Sequence, residues 1–315
     1  MGSLNDVVIL DAEEVARRAP YADLVEALEA GHRDPIAACE RIVYGPEGDP
    51  RRFMALPAWQ TQGAGGGAIG IKLVTIFPEN PGRGLPSVQA VVLLFDGATG
   101  EVVAMLDGTE LTYRKTAADS ALGSKLLSRH DARTMLMVGA GGLGAHLIAA
   151  HRAVRPSIER VLIWNRTRDK AQALVDAGIA HEAVDDLDAA VADADLISTA
   201  TMAQQPLIKG SLLRSGTHID CVGAFLPDHR EVDDDVVLRA EIFVDSREAA
   251  THESGDLVIP TTAGTIEVTA VRADLFDLCR GEHTGRSAPD AITMFENGGG
   301  GHLDLMTAQY VWGAR

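Results

Sequence analysis

The sequence predicts an α/β protein that contains a doubly wound parallel sheet and, before it, a mixed or antiparallel sheet. Three observations lead to this fold class. Strand-like runs separated by Gly- and Pro-rich turns fill residues 41–106. An apolar strand, a glycine loop and an apolar helix follow from residue 134. Strand and helix patterns then alternate as far as residue 244, which is typical of βαβ units.

The bulk composition limits the classes of protein that the chain can be. Its 315 residues are enough for about two domains. The net charge of −17 argues against nucleic acid as a partner, because an acidic surface repels phosphate groups. No apolar run approaches the ~20 residues that span a bilayer, and residues 1–10 lack a signal-peptide pattern. We therefore expect a soluble cytoplasmic protein that binds no membrane.

The three cysteines are widely spaced, at Cys39, Cys221 and Cys279. An odd number at such spacing indicates neither a disulfide framework nor a zinc site. We expect three reduced thiols, as is usual in the cytosol, and no bound metal.

Local patterns predict the individual elements. A short strand over Val7–Leu10 precedes two helices, and Asp11 is a candidate N-cap for the first of them. A long helix is expected over Leu111–Ser128, and a last helix over Leu303–Trp312 follows the apolar segment Ile292–Phe295. The other expected strands are Arg41–Tyr44, Phe53–Leu56, Ile69–Phe77, Val88–Phe95, Val102–Leu106, Met135–Val138, Val161–Trp164, Leu196–Ala200, His218–Val222 and Ile242–Val244.

The glycine loop Gly139–Gly144 has the spacing G-x-G-x-x-G. Gly139 permits a tight turn, Gly141 lets the backbone approach a pyrophosphate, and Gly144 lets the next helix pack closely on the strand. An apolar strand precedes the loop, a helix follows it, and a second strand ends about 20 residues further on. This is the full context of a Rossmann-type nicotinamide dinucleotide-binding unit. A glycine-rich turn without a ligand is the alternative.

The end of the second parallel strand bears on which dinucleotide binds. An NAD site usually has Asp or Glu there, on the ribose 2′-hydroxyl. This chain has Asn165, Arg166 and Thr167, followed by Arg168. Because these side chains offer donors and positive charge, we expect NADP(H) to be favoured, with NAD(H) possible; a merely solvated Arg166 is the alternative. The expected cofactor contacts are Gly139, Gly141, Gly142, Leu143, Gly144, Asn165, Arg166, Thr167, Thr199, Ala200, Thr201 and Val222.

Six further motifs lie along the chain: Ile71–Thr75, Gly84–Val88, Leu111–Ala118, Ile163–Thr167, Gly216–Ile219 and Gly223–Asp228. Together they resemble the ornithine cyclodeaminase/mu-crystallin family, and the resemblance covers almost the whole chain. It implies that a Rossmann domain, residues 126–289, is inserted into a mixed-sheet α+β domain made of residues 1–125 and 290–315. It also implies that the mixed-sheet domain binds a small amino or imino acid and forms a homodimer.

The resemblance assigns three cationic side chains to the substrate carboxylate: Arg41, Lys72 and Lys115, with a catalytic role for Lys72 as well. Lys72 is unusual from the residues alone, because it interrupts a nearly apolar strand and lysine is rarely buried without a partner. A solvated strand face is the alternative. The family normally has arginine where this chain has Lys115, so the neighbouring Arg114 is the alternative carboxylate ligand.

Two further positions match the family pattern. Asp228 matches its catalytic carboxylate and follows the fourth parallel strand, where catalytic groups gather. Ser87 matches a position near the carboxylate or the nicotinamide. Simple turn residues after proline are the alternatives for both. We expect the adjacent His229 to be a surface side chain.

Two departures from the family pattern are visible. Leu143 stands where the family often has glutamine. Glu296 and Asn297 follow Phe295, where many members have Lys-Ser. Because that segment borders the cofactor in the family, the departures indicate a distinct subgroup with its own substrate.

Three functions remain open from the sequence. The first is an NAD(P)-dependent reductase or dehydrogenase that moves a hydride at the α-carbon of a small amino or imino acid, with Asp228 as general acid or base. The second is an ornithine cyclodeaminase, a lyase that converts L-ornithine to L-proline and ammonia. The third, from another class, is a crystallin-like protein that binds NADP(H) without catalysis. Asp228 favours an enzyme, and the absence of an acid at Asn165 favours the reductase.

Overall fold

The computed structural model describes residues 6–38, 41–61 and 67–314, so the expectation for Cys39 lies outside the described residues. The chain forms two compact units. The mixed-sheet unit comprises residues 1–116 and 300–315, and the parallel-sheet unit comprises residues 117–299. The chain therefore leaves the first unit once and returns to it with its last helix.

The described residues form fifteen strands and eleven α-helices. As far as residue 127 these are β1 (Val8–Leu10), α1 (Ala12–Arg18), α2 (Tyr21–Gly31), β2 (Ala37–Ala38), β3 (Ile42–Tyr44), β4 (Arg52–Gln60), β5 (Ala68–Ile76), β6 (Val88–Asp96), β7 (Val102–Asp107) and α3 (Gly108–Leu127). The remaining elements are β8 (Thr134–Val138), α4 (Gly144–Val154), β9 (Arg160–Trp164), α5 (Arg168–Asp176), β10 (Glu182–Ala183), α6 (Leu187–Asp193), β11 (Leu196–Thr199), β12 (His218–Cys221), α7 (Asp234–Arg239), β13 (Glu241–Val244), α8 (Arg247–Glu253), α9 (Gly255–Thr262), β14 (Val271–Asp274), α10 (Leu275–Cys279), β15 (Thr293–Glu296) and α11 (Gly301–Gly313).

One mixed sheet organises the described part of the mixed-sheet unit. Its strand order is β1-β7-β6-β5-β4-β2, and β3 also pairs with β4. β1 is parallel to β7, whereas the other neighbours are antiparallel. Side chains of β5 alternate in burial, so Gly70, Lys72 and Val74 share the buried face. The expected mixed sheet is confirmed, with Lys72 pointing into its core.

Helix α11 covers β4 and β5. The approach is close, because a Cβ on Gly301 would lie 2.9 Å from a carbonyl oxygen of β4. A Cβ on Gly70 would lie 3.0 Å from Leu305 Cδ1. Glycine at both positions lets the helix lie directly on the strands. Every residue of α11 from Gly301 to Ala308 is buried, which is typical of a core helix.

The parallel-sheet unit is built on a sheet of order β10-β9-β8-β11-β12-β15-β13-β14. All its neighbouring strands are parallel. Its central strands are buried, and apolar side chains such as Leu136, Ile197 and Ile219 form the core. Strands that are buried on both faces are typical of a parallel sheet covered by helices. The expected Rossmann-type sheet is confirmed.

Strand β15 lies inside this parallel sheet, between β12 and β13. Its four residues are all buried, and Thr293 pairs with both His218 and Glu241. The sequence predicts this segment in the mixed-sheet domain, with domain boundaries at 125/126 and 289/290. The chain instead passes from one unit to the other at 116/117 and 299/300, because backbone pairing includes β15 in the parallel sheet.

Helix α3 begins at Gly108, three residues before the expected start. The reason is a cap: Asp107 Oδ1 accepts a hydrogen bond from the Glu110 amide at 2.7 Å. Within the described chain, α3 and the other helices all lack the combination of length and apolar character that crossing a bilayer requires.

Candidate active site

The loop between β8 and α4 has the backbone that the glycine spacing predicts. Gly139 has a φ of +118°, and a Cβ there would lie 2.5 Å from the carbonyl oxygen of Ala200. A Cβ on Gly144 would lie 2.6 Å from the Gly139 oxygen, whereas no described atom lies within 4 Å of a Cβ on Gly141. Leu143 precedes α4 and offers no capping side chain. The open backbone at this helix N-terminus fits a pyrophosphate.

Asn165 holds the glycine loop from the end of β9. Its Oδ1 accepts a hydrogen bond from the Ala140 amide at 3.0 Å, and its Nδ2 donates to the carbonyl oxygen of Thr167 at 2.8 Å. Both polar ends of the side chain are therefore used within the protein. An aspartate at this position would offer no donor to Thr167, so the local hydrogen bonding itself favours asparagine.

The two arginines that follow differ in their contacts. Arg168 Nε donates to Asp185 Oδ1 at 2.7 Å. Arg166 is exposed and forms no ion pair with the described residues. Arg166 is thus the cation of this segment that remains available to an anionic ligand.

Glu231 forms hydrogen bonds to both the end of β11 with its following segment and the segment after β12. Its Oε1 accepts from the amide and the hydroxyl of Thr201, both at 2.6 Å. Its Oε2 accepts from the Thr199 hydroxyl at 2.8 Å and from the Gly223 amide at 2.7 Å. Val222 completes the arrangement, because its amide donates to the Thr199 carbonyl oxygen at 3.0 Å. Sequence reasoning missed Glu231, since its main partner Thr201 lies 30 residues earlier.

Asp228 lies in the loop after β12 with 72% of its side chain exposed. His229 Nδ1 is 2.9 Å from Asp228 Oδ1, and this hydrogen bond lowers the pKa of Asp228 below its ordinary value. Asp228 is therefore an ionised carboxylate at neutral pH. The expectation of a surface His229 is wrong: its side chain is 9% exposed, because the ring stacks on Phe225 with the centroids 6.4 Å apart.

Lys72 is buried, which excludes the solvated strand face. Its Nζ donates to Asp304 Oδ1 at 2.9 Å, and the exposed fractions of the two side chains are 7% and 2%. Burial and the charges of Lys115 and Arg41 together lower the pKa of Lys72 to about 8, and Asp304 opposes this shift. The ammonium form still predominates at pH 7.

Lys115 and Arg114 lie in different surroundings. Lys115 is 4% exposed, and it donates no hydrogen bond to a described residue. Arg114 Nε donates to Glu110 at 2.7 Å, and its guanidinium lies over the Tyr21 ring, 4.8 Å from the centroid. Successive helix positions point about 100° apart. Helix α3 therefore places Lys115 within electrostatic range of Lys72 and Arg114 against α2.

The remaining substrate candidates, Arg41 and Ser87, are both half-buried. Arg41 precedes β3 and acts electrostatically on Lys72. The carbonyl oxygen of Ser87 accepts from the amide of Phe77 at 2.7 Å, and its hydroxyl bonds to no described residue. Lys115 and Arg41 thus both act electrostatically on Lys72, which pairs with Asp304. Positive charge gathered around a buried lysine suits an anion.

Comparison with known proteins places the chain in a family. Residues 6–314 match the profile of the ornithine cyclodeaminase/mu-crystallin family. The chain belongs to this family. One relative, a Delta(1)-pyrroline-2-carboxylate reductase of Paracoccus denitrificans, is 46% identical over 298 residues, which cover 93% of this chain and 92% of the relative.

Solved structures of family members have the same fold. The Delta(1)-pyrroline-2-carboxylate reductase of Thermococcus litoralis, in complex with NADH and L-proline, matches with a TM-score of 0.89 and 29% identity over 97% of this chain and 96% of its own. An archaeal alanine dehydrogenase dimer with bound NAD matches with a TM-score of 0.87 and 27% identity, over 97% and 95% of the two chains.

These likenesses confirm the expected family and fold class of this ornithine cyclodeaminase/mu-crystallin member. They also confirm the expectation of an enzyme, an oxidoreductase of the imino-acid reductase type that depends on a nicotinamide dinucleotide. A crystallin-like protein without catalysis is correspondingly disfavoured.

Proposed function

We propose that this enzyme reduces a small cyclic imino acid, such as Δ1-pyrroline-2-carboxylate, to the corresponding amino acid. The observation that carries the proposal is the cationic cluster of the buried Lys72 and Lys115 and the half-buried Arg41, in which Asp304 pairs with Lys72. Such a cluster suits the carboxylate of a small substrate. The relative from Paracoccus denitrificans and the structure from Thermococcus litoralis, both named as reductases of this imino acid, support the choice.

In this proposal the mixed-sheet unit orients the substrate. Lys72 and Lys115 bind the carboxylate as point charges, with Arg41 as a third cation and the half-buried hydroxyl of Ser87 as a further donor. Lys72 also keeps the site positively charged. Asp304 supports this role, since its carboxylate favours the ammonium form of Lys72. When bound, the nicotinamide supplies a hydride to the carbon next to the carboxylate.

We assign to Asp228 the task of stabilising a positively charged imine nitrogen. A protonated imine is the form that accepts a hydride, and its C=N electron pair ends on nitrogen as the amine forms. The hydrogen bond from His229 keeps Asp228 ionised. An ionised carboxylate stabilises the cationic imine, and it accepts a proton when the reaction runs from the amino acid to the imine.

For the cofactor, we propose the glycine loop Gly139–Gly144 as the pyrophosphate site and NADP(H) as the favoured dinucleotide, with NAD(H) possible. Two observations support the preference. Asn165 is engaged in the protein's own hydrogen bonds, and Arg166 is exposed without an ion-pair partner among the described residues. A guanidinium there suits a 2′-phosphate. The related structures hold NADH or NAD, so the preference needs a direct measurement.

We also propose that the enzyme is a cytoplasmic homodimer. Strand β3 and the adjoining β4 expose large apolar side chains, among them Val43 (53%), Tyr44 (68%) and Trp59 (49%). Apolar surface of this kind is typical of a protein–protein interface. Cys221 and Cys279 are buried and form no disulfide with a described residue, which suits a reducing compartment. Light scattering during size-exclusion chromatography measures the mass directly, and a monomeric mass would contradict the dimer.

The decisive experiment incubates the purified enzyme with Δ1-pyrroline-2-carboxylate and NADPH or NADH. We expect loss of cofactor absorbance together with formation of proline. A parallel incubation with L-ornithine and catalytic NAD⁺ tests the cyclodeaminase. Proline and ammonia from ornithine, with no oxidation of NAD(P)H by the imine, would replace this proposal by the lyase.

A further inference from the structure

A group of buried acidic side chains lies behind the cofactor-facing segments of the parallel-sheet unit. It includes Asp256 at the start of α9 and Glu296 at the end of β15. One carboxyl oxygen of Asp256, one carboxyl oxygen of Glu296 and the Cys221 sulfur all lie within 4.8 Å of one another. Asp256, Glu296 and Glu231 are each at most 1% exposed. Glu296 is one of the positions where this sequence departs from the family pattern.

Glu231 is the fully bonded member of the group. Its two oxygens accept four hydrogen bonds, from Thr199, Thr201 and Gly223. Two of those donors are backbone amides, which favour the ionised carboxylate. Burial raises the pKa of Glu231, and these hydrogen bonds oppose that rise. Glu231 thus holds the segments expected to border the cofactor.

Asp256 and Glu296 are only half bonded. Asp256 Oδ1 accepts from the amides of Glu231 and Val232, at 2.8 and 3.0 Å, and Glu296 Oε1 accepts from the Ser254 hydroxyl at 2.5 Å. Asp256 Oδ2 and Glu296 Oε2 are buried and accept from no described residue. A bare carboxylate oxygen in a dry interior is costly, and a proton on it removes most of that cost.

The surrounding charges also favour a proton. Burial and the Glu231 charge raise the pKa of Asp256 to about 7, and Arg230 opposes this. Burial and the charges of Asp256, Glu231 and Asp245 raise the pKa of Glu296 well above its ordinary value. Burial likewise raises the pKa of Cys221, so the thiol stays neutral. The acidic neighbours therefore reinforce the effect of burial on both Asp256 and Glu296.

We propose that Asp256 and Glu296 hold a proton between them at neutral pH, and that this proton keeps Glu231 in place as a positioning residue for the cofactor. Loss of the proton adds a negative charge beside Glu231 and weakens its hold on Thr201 and Gly223. Cofactor binding and protonation of the pair are then linked, so each strengthens the other. The inference rests on the cofactor role proposed for the segments around Thr201 and Val222.

The test measures the Kd of NADH against pH, between about pH 6 and pH 9. If binding shifts the titration of the pair by one pH unit, affinity falls about tenfold across this range. Glu296→Gln replaces the proton by an amide that donates to the Asp256 oxygen. We expect this variant to keep its neutral-pH affinity and lose the pH dependence. Glu282→Gln, an exposed acid of the same unit, is the matched control and should follow the wild type.

Three results would overturn the inference: a pH-independent Kd in the wild type, unchanged pH dependence in Glu296→Gln, or a stoichiometric metal ion in the purified enzyme. If Glu296→Gln fails to fold, Asp256→Asn serves the same purpose. A protein that binds no NADH at any pH would contradict the cofactor role instead. The proton is then tested by infrared spectroscopy: a protonated-carboxyl band at neutral pH should disappear in the double variant Asp256→Asn/Glu296→Gln.

Discussion

The ammonium nitrogen of Lys72 lies 2.9 Å from Oδ1 of Asp304, although 232 residues separate them along the chain. Both side chains are buried, so water screens the pair little. The second oxygen of Asp304 accepts from no described residue. Asp304 therefore offsets the charge of Lys72, while the buried Lys115, which acts electrostatically on Lys72, forms no hydrogen bond with a described residue.

Replacing Asp304 by Asn should shift the pH profile of the reaction. Lys72 has a pKa of about 8 with Asp304 present, and loss of that attraction lowers it further. Because carboxylate binding needs the ammonium form, the apparent pKa above which kcat/KM falls should decrease by about one pH unit. A lower melting temperature with this pKa unchanged would mean that Asp304 is only structural. Glu13→Gln, an exposed acid of the same unit, is the control.

Lys115 and Arg114 should differ sharply when each is changed to methionine. A hydrogen bond to a charged group contributes ~1.5–3 kcal/mol, so Lys115→Met should raise KM for the imino acid by about tenfold or more. Lys115→Arg keeps the charge and should restore most of that loss. Arg114→Met removes contacts to Glu110 and Tyr21 and should lower stability with KM nearly unchanged. A larger KM effect at Arg114 would reverse the assignment.

Replacing Asp228 by Asn should abolish turnover and spare cofactor binding. The variant keeps the shape of the side chain but removes the negative charge proposed to stabilise the imine. We expect kcat to fall by about a hundredfold or more, with the Kd of NADH unchanged. Asp235→Asn, an exposed aspartate of the same unit, should behave as the wild type. Equal activity in Asp228→Asn would refute the proposed role.

Arg166→Gln tests the cofactor preference. If Arg166 binds a 2′-phosphate, its loss should weaken NADPH by about tenfold and leave NADH within about twofold. Arg168→Gln breaks only an exposed ion pair and is the control. Tighter binding of NADH than of NADPH by the unmodified enzyme would contradict the preference for NADP(H).

The buried Asp256 should make stability depend on pH. Its pKa is raised to about 7, above its ordinary value of 3.8, so folding takes up a proton between these values. In that window its contribution to the free energy of unfolding falls as pH rises. Asp256→Asn keeps an oxygen for the Glu231 and Val232 amides and should flatten this part of the curve. Denaturant unfolding at several pH values measures it, and an unaltered slope would refute the assignment.

Much of the fold could be predicted because its signals are local. The β8–loop–α4 unit has a glycine spacing that only a few backbones accommodate, and the predicted strand Met135–Val138 begins one residue after the observed β8 and ends at the same residue. Strand β15 could not be assigned in this way. The predicted segment Ile292–Phe295, three apolar residues and a threonine, is compatible with either sheet, and only backbone pairing decides between them.

The family, the glycine loop and the unusual lysine in β5 can be recognised from the amino-acid sequence, because each is a property of neighbouring residues. Folding brings Asp304 to that lysine and Glu231 to the segments after β11 and β12. Folding also brings Lys115 within electrostatic range of Lys72 and packs Arg114 on α2. The physical reason is distance along the chain: Asp304 and Glu231 meet their partners only after a helix has packed on a sheet or strands have aligned, and no local periodicity records those contacts.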